Sequence, residues 1–126
     1  MLRVFDIWWY FHDIWETILI NCYFMHAEEI REHCLNKMGV EESFPFGEET
    51  LVFKVGNKIF LLLSLDSNPI RFNAKCEPNK AIELREKFSG VLPGYHMNKK
   101  HWNTIVCDGL LPRKVIFELI DDSYNL

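Results

Sequence analysis

The sequence lacks the glycine-rich signatures with which many enzymes hold nucleotides. Neither G-x-G-x-x-G nor G-x-x-x-x-G-K-[ST] occurs in its 126 residues, which excludes the dinucleotide fingerprint and the phosphate loop. It also has no uncharged apolar run of about 18 residues, the length that a membrane span requires. The basic start, unbroken apolar middle and small-residue cleavage site of a secretory signal are missing as well. These absences favour a cytoplasmic protein that does not insert into a membrane.

Cysteine is sparse and scattered, and no C-x-x-C pair occurs. The thiols belong to Cys22, Cys34, Cys76 and Cys107. We expect reduced side chains rather than a zinc site or a disulfide scaffold. A thiol beside His96 or His101 could act as a nucleophile, but no catalytic signature surrounds Cys76 or Cys107, and a strand cysteine is usually a small buried hydrophobe. The two histidines are five residues apart and have no obvious further ligand. We therefore predict a protein without catalytic residues, metal or cofactor.

What the sequence does have is an ordinary globular composition, with 48% hydrophobic and 25% charged residues. Residues 25–126 carry regular patterns and are predicted to form a single domain. Residues 1–24 differ, because they hold three of the four Trp and one basic residue, Arg3. On a helix, their apolar positions would form one stripe in need of a partner surface. Alternatively, Met25 is the natural start and residues 1–24 are an over-extended reading of the gene.

The first half of the regular part predicts a helix followed by a hairpin. Apolar residues at helical spacing follow His26, and Gly39 is placed to stop that helix. Two apolar runs, residues 50–55 and residues 58–65, flank Gly56-Asn57, which is a strong hairpin signal. Because both runs are apolar on both faces, we expect them in the middle of a sheet.

The second half predicts another strand, helix, hairpin and helix. Residues 70–75 alternate between apolar and polar side chains, as a half-buried strand does. A helix is expected to begin at Pro78 and to close at Gly90. The remaining elements are a hairpin of residues 91–97 and 102–107 and a helix from about Pro112. The order α-β-β-β-α-β-β-α, with hairpin connections, predicts an α+β domain: an antiparallel sheet of about five strands with helices packed on it.

The charge distribution is uneven. The formal net charge is −4, which by itself disfavours a partner rich in phosphate. Between Arg71 and His101, however, seven Lys or Arg residues stand against three Glu, a local net charge of +4. A protein polarised in this way could turn one face toward an anion. The competing interpretation is a set of solvated surface charges.

Four motifs resemble the MmcQ/YjbR family. They are Phe44-Pro45-Phe46, the segment LVFKVG at residues 51–56, Asn73-Ala74-Lys75-Cys76, and PGYHMNKKHWNT at residues 93–104. The likeness runs from about Met25 to Tyr124. It implies a compact α+β fold similar to CyaY and DNA binding through a double-wing motif, in which two hairpins contact the nucleic acid. The chain departs from the family in residues 1–24 and in Glu77, which stands where an Asp would cap the following helix better.

The residues themselves are compatible with that function. Basic side chains at the two hairpins and the third strand are suited to phosphate: Lys54, Lys58, Arg71, Lys75, Lys99 and Lys100. Side chains that could hydrogen-bond to phosphate or base edges are His96, Asn98, His101 and Asn103. Tyr95 or Trp102 could stack on a base if exposed. In the alternative interpretation these two aromatic residues belong to the core and the lysines keep a hairpin tip in water. The second functional hypothesis is a protein-interaction or small-ligand module without catalytic activity.

Overall fold

The computed structural model describes residues 25–126, so both hypotheses about residues 1–24 lie outside it. Three helices and six strands follow one another in this part of the chain. They are α1 (Ala27–Leu35), β1 (Val40–Ser43), β2 (Thr50–Val55), β3 (Lys58–Ser64), β4 (Arg71–Lys75), α2 (Pro78–Lys87), β5 (Val91–Pro93), β6 (Trp102–Val106) and α3 (Arg113–Asn125). No helix within residues 25–126 combines the length and hydropathy needed to span a bilayer.

The strands form one antiparallel sheet in the order β1-β2-β3-β4-β6-β5. The predicted α+β class and antiparallel pairing are confirmed, whereas the sheet has one strand more than expected. The additional strand is β1, which pairs with β2 from Val40 opposite Val55 to Ser43 opposite Val52. Its sequence, Val-Glu-Glu-Ser, has little apolar patterning because its side chains remain largely in water at the sheet edge.

The helix boundaries differ slightly from those that the sequence predicts. Helix α1 ends at Leu35 with Asn36 as its C-cap, and Gly39, with φ of +76°, turns the chain into β1. Glu77 caps α2 although it is longer than Asp. Its two carboxylate oxygens accept hydrogen bonds from the backbone amides of Asn79, at 3.2 Å, and Lys80, at 3.0 Å. The departure from the family pattern therefore leaves the helix capped.

The helices cover one face of the sheet, where the main core lies. That core joins the helices to the sheet, and its largest fully buried members are Ile30, Phe53, Phe60, Leu61, Leu63, Phe72, Ile105, Leu111, Ile116 and Ile120. A smaller cluster of Val52, Leu62 and Trp102 lies on the opposite face, with Ile59 and Met97 packed against it. The loop between β5 and β6, which carries Met97, thus covers part of the helix-free face.

Strand register places the turns of both hairpins at the same end of the sheet. Leu61 of β3 lies opposite Ala74 of β4, so the turn at Gly56-Asn57 is near the carboxyl end of β4. Lys75, the last residue of β4, lies opposite Trp102, the first residue of β6. The loop of residues 94–101 therefore emerges beside the Gly56-Asn57 turn. We refer to the end of the sheet that carries both as the turn end.

Candidate functional site

The loop of residues 94–101 is held by its own backbone. The Gly94 amide donates to the Trp102 carbonyl at 3.0 Å, and the Asn98 carbonyl accepts from the amides of His101 and Trp102 at 3.2 and 3.0 Å. The Asn98 side chain accepts from the Lys100 amide at 3.0 Å, which forms an Asx turn. The motif that carries the family resemblance therefore encodes a specific closed loop.

Polar side chains fix this loop to the helix-free face. Thr104 Oγ1 accepts a hydrogen bond from the Tyr95 amide at 2.9 Å and donates one to Asn73 Oδ1 at 2.5 Å. Asn73 Nδ2 in turn donates to the Tyr95 carbonyl at 3.2 Å. Thr104 is buried, and these bonds satisfy its hydroxyl. Residues of β4 and β6 thus position the backbone at Tyr95.

Arg85 of α2 holds the other side of the loop. Its Nε donates to Asn103 Oδ1 at 2.6 Å, and its Nη2 donates to the backbone carbonyl of Lys99. The Asn103 amide reaches the Ala81 carbonyl at 3.5 Å. The sequence alone did not single out Arg85, because on a helix it is indistinguishable from a solvated surface charge.

Other parts of the protein cover most of Asn103 and Trp102. Asn103 is 2% exposed and lies beneath α2, and Trp102 is 8% exposed within the small cluster on the opposite face. Successive strand residues point to opposite faces, and both faces are covered here. The burial of Trp102 agrees with the alternative interpretation that it belongs to the core, and contact of either residue with a nucleic acid stays a prediction. Tyr95, by contrast, is 63% exposed, and its ring lies 3.9 Å from that of His96, measured between centroids.

The remaining predicted basic residues lie largely at the turn end. Lys99, Lys100 and His101 are exposed on the loop, and Lys58 is exposed where β3 begins at the other turn. Lys54 and Lys75 lie on the helix-free face, two strands apart, which corresponds to about 10 Å. Arg71 shares that face but lies at the far end of β4, about 13 Å from Lys75 along the strand. Arg71 is thus the one predicted cation that the fold does not bring to the turn end.

Among residues 25–126, these basic residues form no ion pair with an acid, whereas several basic residues elsewhere do. Ion pairs join Arg31 to Glu28 and Glu42, Lys37 and His33 to Asp121, Lys80 to Asp122, and Arg113 to Glu29. Within residues 25–126, no ion pair involves Lys54, Lys58, Arg71, Lys75, Lys99, Lys100 or His101. Lys99 Nζ instead donates to the Gly94 carbonyl at 3.1 Å, and Lys75 Nζ lies 5.4 Å from the Trp102 ring centroid. The acid nearest in register is Glu41, opposite Lys54.

A groove of about 430 Å³ opens between the loop and the carboxyl end of α3. Its lining consists of Lys75, Cys76, Glu77, Pro78, Asn98, His101, Trp102 and Leu126.

The described thiols and acids of the site offer neither a nucleophile nor a metal centre. Burial raises the pKa of the Cys76 thiol, so it remains protonated at neutral pH. The buried thiol of Cys107 has its pKa raised to about 12 for the same reason. Across the described residues, no group of three or more His, Cys, Asp or Glu is arranged to hold a metal ion.

Comparison with known proteins assigns the fold to a family. The family model for YjbR matches residues 35–126. The chain belongs to the YjbR family. YjbR of Escherichia coli strain K12 is 34% identical over 101 residues, which cover 80% of this chain and 86% of that protein. YbdF of Escherichia coli O157:H7 is 40% identical over 87 residues, which cover 69% of this chain and 71% of that protein.

Solved structures agree with membership of the YjbR family. A Deinococcus radiodurans protein with a DUF419 domain superimposes with a TM-score of 0.77 at 37% sequence identity, over 80% of this chain and 77% of that one. A Pseudomonas syringae protein superimposes with a TM-score of 0.67 at 27% identity, over 79% of this chain and 96% of that one. YjbR and YbdF are both described as uncharacterized proteins. The family assignment therefore supplies a fold, and evidence about function comes from the side chains of the site.

Proposed function

We propose that the protein binds nucleic acid, with DNA as the first candidate, through phosphate contacts made by its two hairpins in the manner of a double wing. The observation that carries the proposal is the convergence of basic side chains without acidic partners in the described structure at one end of the sheet. Lys99 and Lys100 on one hairpin and Lys54 and Lys58 on the other would contact phosphates. His96, Asn98 and His101 would add hydrogen bonds.

The loop geometry supports this role. A lysine at a hairpin turn can meet a phosphate without reading the base, so binding of this kind is largely independent of sequence. Arg85 donates a hydrogen bond to the Lys99 carbonyl, and the Asn98 side chain accepts one from the Lys100 amide. Both bonds restrain the loop, which reduces the entropy lost when it binds. The raised pKa values of Cys76 and Cys107 keep both thiols protonated, which supports binding without nucleophilic catalysis.

Titration of a labelled DNA duplex at several salt concentrations tests the proposal. With about four phosphates neutralised, we expect a dissociation constant of about 10⁻⁴ to 10⁻⁶ M at physiological salt and a log–log salt slope of roughly −3 to −4. Combining Lys99→Ala with Lys100→Ala should weaken binding and make the slope shallower by about two, since two cations are lost.

The matched control combines Lys87→Ala with Lys114→Ala. These exposed lysines lie at the end of α2 and the start of α3, at the opposite end of the sheet, so the control removes the same charge from another place. We expect it to bind as the wild type does. Equal weakening by both double variants would mean that only net charge matters, and no binding at low salt would contradict the proposal outright.

A further inference from the structure

The groove beside the loop is open to solvent and large enough to hold a small ligand. Its volume of about 430 Å³ falls in the range of about 300–1,000 Å³ typical of small-molecule pockets. Pro78 and Trp102 contribute apolar wall, while Asn98 and His101 supply polar groups at the loop side. Such a combination suits a flat, partly polar ring.

The groove lining holds one cation, Lys75, and one carboxylate, Glu77. Lys75 lies in the lining without an acidic partner in the described part of the chain. The carboxylate of Glu77 is occupied by the amides of Asn79 and Lys80, at the positive end of the α2 dipole, which reduces its repulsion of a phosphate. The Cys76 thiol is protonated and adds no negative charge.

We infer that this groove receives an unpaired nucleobase whose phosphate is held by Lys75, so that the preferred partner is single-stranded nucleic acid. The inference rests on the proposed function and specifies its partner. A base in a duplex is paired and stacked, so it could enter the groove only after being flipped out. A base in a single strand enters without that cost, and Tyr95, exposed on the loop itself, offers a surface on which a neighbouring base can stack.

Two variants separate the groove from the hairpin turns. Lys75→Met removes the groove cation but keeps an unbranched apolar chain near Trp102, and Lys58→Met removes one cation from the Gly56-Asn57 turn, outside the groove. Labelled oligothymidylate and a duplex of the same length serve as probes with the full chain. We expect tighter binding of the single strand, weakened roughly tenfold by Lys75→Met, with a smaller effect on the duplex. Lys58→Met should weaken both probes to the same extent.

A second measurement on the wild-type protein does not depend on any variant folding. Thymidine 5′-monophosphate should shift the NMR amide signals of Cys76, Asn98 and Trp102, whereas inorganic phosphate at the same concentration, which can contact Lys75 but brings no base, should shift them less. The inference would be overturned, with phosphate binding left intact, by three results together. These are equal binding of the two polymers, equal effects of the two variants, and identical signal shifts with both small probes. Failure of both polymers to bind at low salt would instead remove the proposed function and the inference with it.

Discussion

Gly94 is the residue at which the loop approaches β6 most closely. A Cβ atom at this position would lie 2.8 Å from Trp102 Cβ and 2.9 Å from the Trp102 carbonyl oxygen. Neither neighbour can move easily, because Trp102 is buried and its carbonyl accepts the Gly94 amide hydrogen. The glycine is therefore required by space rather than by a left-handed backbone.

Replacing this glycine should loosen the whole loop. Gly94→Ala is expected to lower the free energy of unfolding by about 1–3 kcal/mol, the usual cost of forcing extra atoms into a packed site. Urea denaturation followed by circular dichroism measures this. Lys100→Ala, an exposed change in the same loop, should stay within about 0.5 kcal/mol of the wild type. Similar effects of the two changes would show that the close approach at Gly94 can relax.

Side chains of adjacent residues show how far the sequence could predict the site. The pattern of residues 102–107 predicts the strand that contains Trp102 and Asn103. Neighbouring side chains on a strand point to opposite faces of the sheet. The pattern could not say what covers each face, because Asn103 is buried by α2, which lies outside the hairpin. The packing of Met97 against Trp102 depends in turn on the conformation of the loop between them. Exposure at the site was therefore predictable for the turn lysines and not for the strand residues.

At the scale of elements, Arg85 joins helix α2 to the functional loop. Its guanidinium connects the buried Asn103 side chain with the Lys99 carbonyl. Hairpin signals predicted where the loop would occur, but the contact with α2 depends on how that helix is oriented over β5 and β6. Strand β1 was missed for a related reason, since only pairing with β2 makes Val40–Ser43 a strand.

Removing this connection should free the loop without unfolding the sheet. Arg85→Met leaves Asn103 Oδ1 without its donor, and we expect a loss of about 1–3 kcal/mol in unfolding free energy. Hydrogen exchange should accelerate at the amides of His101 and Trp102 while the β2–β3 pairing stays protected. Lys87→Met, on the exposed surface of the same helix, is the control. Unchanged exchange in the loop would show that its internal hydrogen bonds suffice.

At the scale of the whole molecule, Asp121 of α3 links that helix to α1. Its Oδ1 lies 2.6 Å from Lys37 Nζ and 2.7 Å from His33 Nε2. Burial raises the pKa of Asp121, but the hydrogen bonds from Lys37 and His33 outweigh that effect, and its pKa falls below the ordinary value of 3.8. The ionised form is therefore favoured in the folded protein.

This link should make stability sensitive to acid. Because the pKa of Asp121 is lower in the folded state, its contribution is complete above about pH 5 and is lost as the pH falls through the folded-state pKa. Asp121→Asn should destabilise the protein at pH 7 and have a progressively smaller effect toward pH 3, as measured by urea unfolding. Lys37→Met, which removes the partner, should show the same trend. A difference between wild type and Asp121→Asn that is constant with pH would contradict the proposed link.

The arrangement of charge over the molecule was only partly predictable. The sequence located a basic stretch between Arg71 and His101, and the register shows that its members separate. Arg71 lies at the far end of β4, Lys80 pairs with Asp122, and Arg85 is turned inward. Lys54 and Lys58, outside that stretch, join the turn end because β2 and β3 run antiparallel beside β4. Convergence of this kind depends on strand order, which local patterns do not contain.

The two outer strands bear on how copies of the protein behave in solution. Strand β1 carries Glu41 and Glu42 at one margin, and β5 at the other is three residues long and ends in Pro93, which has no amide hydrogen to donate. Charge, shortness and proline are the means by which natural sheets resist pairing edge to edge. We therefore expect the sheet not to grow by recruiting strands from a neighbouring copy, and concentrated samples to remain free of fibrils.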